Sequence, residues 1–159
     1  MWIAKCRFLL FIAPFLFPIT AFSLPSQIDP PGEKMVLVSP VEHAWGAYDA
    51  NGTLIRSGLA SAGADWCQDM GSQCHTVTGR YRVRSLGGPG CVSPSFPMPN
   101  GGAPMPYCMY FTPYQALHGS YELAHANISH GCVRMRVADA KWLRYHFVTI
   151  GTLVVIEPY

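Results

Sequence analysis

Charge is scarce in this 159-residue chain, with 11 Lys and Arg against 9 Asp and Glu. No basic stripe interrupts that balance, so the electrostatic footprint of a nucleic-acid binder is missing. The H-E-x-x-H spacing of helical zinc hydrolases is absent as well. There is no internal repeat, which argues against a solenoid or propeller. Long apolar runs are limited to one, Phe8 to Phe22.

That run reads as the core of a secretory signal peptide covering Met1 to about Ser23. Lys5 and Arg7 supply a positive n-region, and Ala21 and Ser23 are small residues where signal peptidase inspects the chain. The run is short for a membrane span and Pro14 and Pro18 break its helix, although an uncleaved anchor is the alternative. Cys6 lies upstream, so no lipid-attachment cysteine sits at the cut. Cleavage removes Lys5 and Arg7 together, leaving 9 basic against 9 acidic residues. The remainder, roughly 136 residues, is the size of one domain with no stable membrane span. It is expected to be exported.

Cysteine count carries the next step. Cys67, Cys74, Cys91, Cys108 and Cys132 follow the signal segment. An oxidising compartment favours disulfides, and five cysteines leave one unpaired. Cys132, between His130-Gly131 and Val133-Arg134, is the one expected to stay free. Three pairings of the others exist, and proximity favours Cys67–Cys74 with Cys91–Cys108.

Leu24 to Lys34 is a Pro-rich lead, expected to be an extended tether, and the domain proper runs from 35 to 159. Met35 to Val38 reads as a buried strand. Ala44 to Tyr48 and Thr53 to Leu59 read as a hairpin around an Asn51-Gly52 turn. Tyr81 and Val83 share one face of a further strand. Gly87 to Pro106 is a Gly/Pro/Ser-rich loop, the kind that is often functional; a Cys91–Cys108 bridge would make it a cleft wall. Tyr107 to Phe111 and Gln115 to Leu117 read as strands, the second delivering His118 at its end. Asp139 is placed to open or cap a helix through Ala140, Leu143 and Phe147. Thr152 to Ile156 closes the domain as an apolar strand. Many short strands with one or two short helices predict a mostly β barrel or sandwich.

The chemistry gathers in Ser129-His130-Gly131-Cys132-Val133-Arg134, with His118-Gly119-Ser120 upstream. Cysteine catalysis needs a thiolate, a base for its proton and donors for the oxyanion. Cys132 is the candidate nucleophile and His118 the candidate base. Gly131 lets the backbone turn tightly before the cysteine.

These two segments resemble the signature of the L,D-transpeptidase catalytic domain (YkuD type). The likeness extends to Tyr48-Asp49 and Gly52, Thr78 to Tyr81, Met105-Pro106-Tyr107, the Asp139–Trp142 helix and the final strand. The resemblance implies an L,D-transpeptidase-like β fold and acyl transfer through Cys132. Its partners would be peptidoglycan stem peptides, with carbapenems as possible acylating agents and no cofactor or metal. By the same likeness Gly119 orients the imidazole, and N–H groups around Gly131 and Cys132 form the oxyanion hole. His130, Ser129 and Ser120 would shape the site or bind substrate. Arg134 would position substrate or favour the thiolate by its charge.

Other readings stay open. Water could replace the amine acceptor, giving carboxypeptidase-type hydrolysis. A zinc site could use His118, His130 and Cys132 as ligands. A disulfide-stabilised secreted binding module is the third, since fold does not fix function.

Overall fold

The computed structural model describes residues 24–159; the signal-peptide reading of Met1 to Ser23 lies outside the described residues. Nine strands occur among them: β1 (Met35–Ser39), β2 (Ala44–Tyr48), β3 (Leu54–Ser61), β4 (Gly79–Arg82), β5 (Ser85–Leu86), β6 (Met109–Tyr110), β7 (Ala116–Ser120), β8 (Val133–Arg136) and β9 (Leu153–Ile156). One short helix, α1 (Val137–Trp142), runs on into a π-helical turn at Leu143–Phe147. The strands form one curled sheet in the order β4-β9-β1-β2-β3-β8-β7-β6-β5. The fold is therefore mostly β, as the strand density of the sequence predicts.

The unbroken apolar run of β1 is buried on both faces, as a strand in the middle of a covered sheet requires. Val36 and Val38 join the main core with Trp45, Ala47, Val154 and Ile156, and Ala140, Leu143 and Phe147 cover that side. Met35 and Leu37 face the other way, with Leu24, Ala44, Tyr48 and Leu153. Parallel pairing of β9 with β1 places the C-terminal strand inside the sheet rather than at its edge.

The Pro-rich lead is docked rather than a free tether. Leu24 is buried, the Tyr48 hydroxyl donates to the Pro25 carbonyl at 2.8 Å, and Leu54 N–H donates to Ser26 O at 2.9 Å. Leu24 and Ile28 cover the outer face of β1 and β2, which would otherwise expose Met35 and Leu37 to water. Proline prevents regular pairing but not side-chain burial.

The β2–β3 connection also differs in detail from a two-residue Asn-Gly turn. Only Gly52 has positive φ (+83°), and the Asp49 carboxylate accepts from Asn51 N–H and Thr53 N–H, both at 2.9 Å. A type I′ turn would need positive φ at Asn51 too. Asp139 does not cap α1: Arg136 holds the N-cap position without a side-chain bond. Asp139 sits in the first turn, where a carboxylate favours the helix dipole, and Arg56 Nη2 donates to it at 2.7 Å.

Both disulfides favoured by proximity are present, Cys67–Cys74 and Cys91–Cys108. Cys132 is the free cysteine among the described residues. No helix among them is long and apolar enough to cross a membrane.

Candidate active site

Two adjacent parallel strands carry the chemistry. β7 pairs with β8 so that Leu117 faces Val133 and His118 faces Arg134. Cys132 lies just before β8, and His118 lies within β7 rather than at its end. The strand continues because Gly119 and Ser120 stay extended against Met135 and Arg136. Cys132, His118, Ser120, Ser129, His130 and Arg134 all line one cavity of about 560 Å³. The sequence places these six residues in two short segments; strand pairing makes them one surface.

The turn before Cys132 is held from several sides. Gly131 has φ +112°, a conformation that disfavours any side chain, and an added Cβ would lie 2.8 Å from Gln115 Nε2. Its carbonyl accepts from Thr76 Oγ1 at 2.9 Å. The Ser129 hydroxyl accepts from Gly131 N–H at 3.1 Å and donates to the Cys132 carbonyl. Gly131 N–H is thus engaged within the turn. Ser129, 1% exposed, braces this turn.

His118 is buried, and its Nδ1 donates to the Gly119 carbonyl at 2.8 Å. The other ring nitrogen, Nε2, then carries the lone pair. Gly119 is needed there for a second reason: a Cβ would fall 2.9 Å from Val137 Cα and 3.2 Å from Pro106. Burial pulls the His118 pKa down to about 4; the Gly119 bond opposes this and Arg134 adds to it. The ring is therefore neutral near pH 7.

Burial likewise pushes the Cys132 thiol up, only partly offset by the Ala116 backbone and Arg134. Arg134 therefore does not win the thiolate: desolvation is the larger effect. Thiol and imidazole are therefore both neutral near pH 7 in the resting site. The thiol's own hydrogen-bond acceptor is the Tyr114 carbonyl, at a long 3.9 Å.

Ser120 Oγ donates to Glu122 O at 2.8 Å and accepts from Glu122 N–H, so it fixes the chain at the cavity mouth. His130 lines the cavity with its Nε2 held by the two Asp69 oxygens, at 2.9 and 2.8 Å. His118, His130 and Cys132 do not form a set with ligand spacing among the described residues. Among the described residues the one set with ligand spacing is Cys67, Asp69 and His130. Its sulfur is committed to a disulfide, and a thiolate is what zinc requires.

The cavity walls include residues without a sequence signal. Ser93 to Phe96 and Ala103 to Met105 come from the loop closed by Cys91–Cys108, so the expected cleft wall is there. Met70 comes from the Cys67–Cys74 loop, and Tyr114 and Tyr121 stand exposed at the rim. Asp69 and Gln115 act through contacts distant in sequence, which no local spacing reveals. Of the remaining histidines, His125 and His146 are exposed, whereas His75 stacks on Tyr159 and His43 has a buried, unpartnered Nδ1.

Comparison with known proteins gives a consistent result. The family model described as the L,D-transpeptidase catalytic domain (YkuD) matches residues 33–156. An L,D-transpeptidase from Xylanimonas cellulosilytica superposes with TM-score 0.70 at 24% identity, covering 82% of this chain and 63% of that one. LdtMt1 in complex with imipenem gives 0.65 at 20%, covering 78% and 58%. L,D-transpeptidase 3 from Mycobacterium tuberculosis, with a faropenem-derived adduct, gives 0.62 at 22%, covering 79% and 60%. The chain spans about three-fifths of the length of these solved structures. No curated protein matches it.

Proposed function

Since this chain belongs to the L,D-transpeptidase family, we propose that it is an exported cysteine acyltransferase acting on peptidoglycan tetrapeptide stems. The observation carrying this reading is the pairing in one cavity of a free cysteine with a buried histidine whose Nδ1 is fixed by the Gly119 carbonyl.

In the first half-reaction the thiol proton passes to His118 Nε2 while Sγ attacks the carbonyl carbon preceding the terminal D-amino acid. The charge that develops on the carbonyl oxygen faces the Cys132 N–H, in a site where burial magnifies such donors. The C–N bond then breaks, and the departing amine takes the proton from the imidazolium. A thioester at Cys132 remains. A neutral ring is required for this sequence, and burial of His118 supplies it. In the second half-reaction the side-chain amine of a neighbouring stem's diamino acid attacks the thioester, giving a 3→3 crosslink and restoring the thiol. Water as acceptor would give the carboxypeptidase outcome.

The two disulfides favour an oxidising compartment, which suits the periplasm or cell envelope. The imipenem complex and the faropenem-derived adduct of the related enzymes support carbapenem acylation as a surrogate for the first step. Intact mass after incubation with a carbapenem, and separately with a tetrapeptide stem, tests the reading. A covalent adduct is expected with the native protein and none with Cys132→Ser. An adduct persisting in that variant would remove Cys132 from the nucleophile's role.

A further inference from the structure

His130 is held between the two disulfide-closed loops. On one side, Asp69 of the Cys67–Cys74 loop contacts Nε2 through both carboxylate oxygens, at 2.9 and 2.8 Å. On the other, the Phe96 ring, from the Cys91–Cys108 loop, lies 4.6 Å away at 37°. Phe96 is itself fixed, its N–H donating to Ser93 Oγ at 2.9 Å and its carbonyl accepting from Ala103 N–H at 2.8 Å. The Asp69 turn is closed by Cys67 N–H to Ser72 O at 3.0 Å. Asp69 and His130 side chains are 58% and 29% exposed. A pair that open to solvent contributes roughly 0–1 kcal/mol to stability, so stability alone does not account for the clamp.

Its geometric consequence is specific. Asp69 takes Nε2–H, which leaves Nδ1 of a cavity-lining imidazole without a protein partner among the described residues. His118, in contrast, is desolvated, with its Nδ1 used by the backbone. The cavity thus holds two histidines of opposite character: one buried on the thiol side, one at the surface with a carboxylate behind it.

We propose that His130 is the base for the acceptor amine in the second half-reaction, with Asp69 as its positioning residue. This rests on the transpeptidase reading above and adds the residues that favour an amine over water. As the acceptor nitrogen forms its bond to the thioester carbon, it gives a proton to His130 Nδ1. The C–S bond breaks with its electron pair remaining on Sγ. Sγ regains a proton from solvent by way of His118, and His130 releases its own to solvent. One amide and one thiol result, with no net change in protons.

The test measures how one acyl-enzyme divides between two acceptors. Native protein, Asp69→Asn and Asp69→Glu are acylated with a tetrapeptide stem ending in D-alanine, in the presence of free D-methionine, and exchange and hydrolysis products are quantified by mass spectrometry. Because both products leave the same thioester, their ratio is independent of the acylation rate. Asp69→Asn is expected to lower the amine-to-water ratio about tenfold to a hundredfold, up to the lower end of what a general base contributes, because the variant keeps the His130 ring and loses only its positioning. Asp69→Glu should restore most of it. In parallel, ¹⁵N spectra of the His130 ring should show a fixed Nε2–H tautomer in the native protein and a mixture in Asp69→Asn. An unchanged ratio with an altered tautomer would overturn the assignment of His130 as base. An unchanged tautomer would overturn the positioning role of Asp69. Failure of the native protein to form any acyl-enzyme would instead refute the transpeptidase reading, and this inference with it.

Discussion

Lowering pH probes the buried His118 through two separate observables. Its pKa falls from 6.5 to about 4 because the folded chain strips water from the ring. In the unfolded chain the ring regains its ordinary value. As pH drops below 6.5 the unfolded state therefore binds a proton that the folded state refuses, and folding stability falls. The loss begins near pH 6.5 and is complete near pH 4. It amounts to about 3 kcal/mol, because each tenfold difference in proton affinity between the two states corresponds to about 1.4 kcal/mol. Urea denaturation of the native protein and of His118→Gln at pH 7 and pH 4.5 isolates this contribution from that of the carboxylates. The native protein should lose more stability than the variant across that interval. Acylation by a carbapenem supplies the second observable. At pH 5 a ring with pKa near 4 is about nine-tenths neutral, whereas an unperturbed one is only about 3% neutral. The acylation rate should thus persist to pH 5 and fall only near pH 4. An acid limb centred near 6.5, or identical pH dependence of stability in the native protein and His118→Gln, would refute the desolvated-base argument.

Two structural perturbations bear on the same site. Gly119→Ala places a Cβ 2.9 Å from Val137 Cα, in backbone that cannot rotate away. Overpacking of this kind costs roughly 1–3 kcal/mol, and displacement of the Gly119 carbonyl should release His118 Nδ1; denaturation midpoints together with acylation rates check both. Removing the Cys91–Cys108 bridge by double Ser substitution should cost about 3 kcal/mol by the loop-entropy argument. It should also raise KM for the tetrapeptide, because residues 93–96 and 103–105 form a cavity wall. An unchanged KM would show that the wall holds its shape without the bridge.

Much of this site was legible in the chain alone, for identifiable reasons. The five cysteines after the signal segment left one over, and the neighbours His130-Gly131 and Val133-Arg134 pointed to Cys132. Short sequence separation favoured the two observed bridges, since close residues close a loop at low entropic cost. The strands Met35–Ser39 and Leu153–Ile156 were readable from apolar residues that only a covered sheet can bury. Other features were not local. The lead reads as a tether because of its prolines, yet Leu24 becomes buried and Ile28 partly so once β1 and β2 offer an apolar face. Asp139 has a capping residue's chemistry, but Arg56, 83 positions earlier, fixes its place in the first turn. Asp69 belongs to no motif at all; its contact with His130 spans 61 residues.

Sequence by itself determined which atoms can react: a thiol, imidazoles, a glycine that permits φ +112° before the thiol, and an arginine beside it. Tertiary structure alone decided their states. Parallel pairing of β7 with β8 brings His118 and Arg134 side by side. Burial then disfavours the charged form of each group, lowering the His118 pKa and raising that of the Cys132 thiol. Identity is a property of the chain, whereas protonation depends on the solvent a fold excludes.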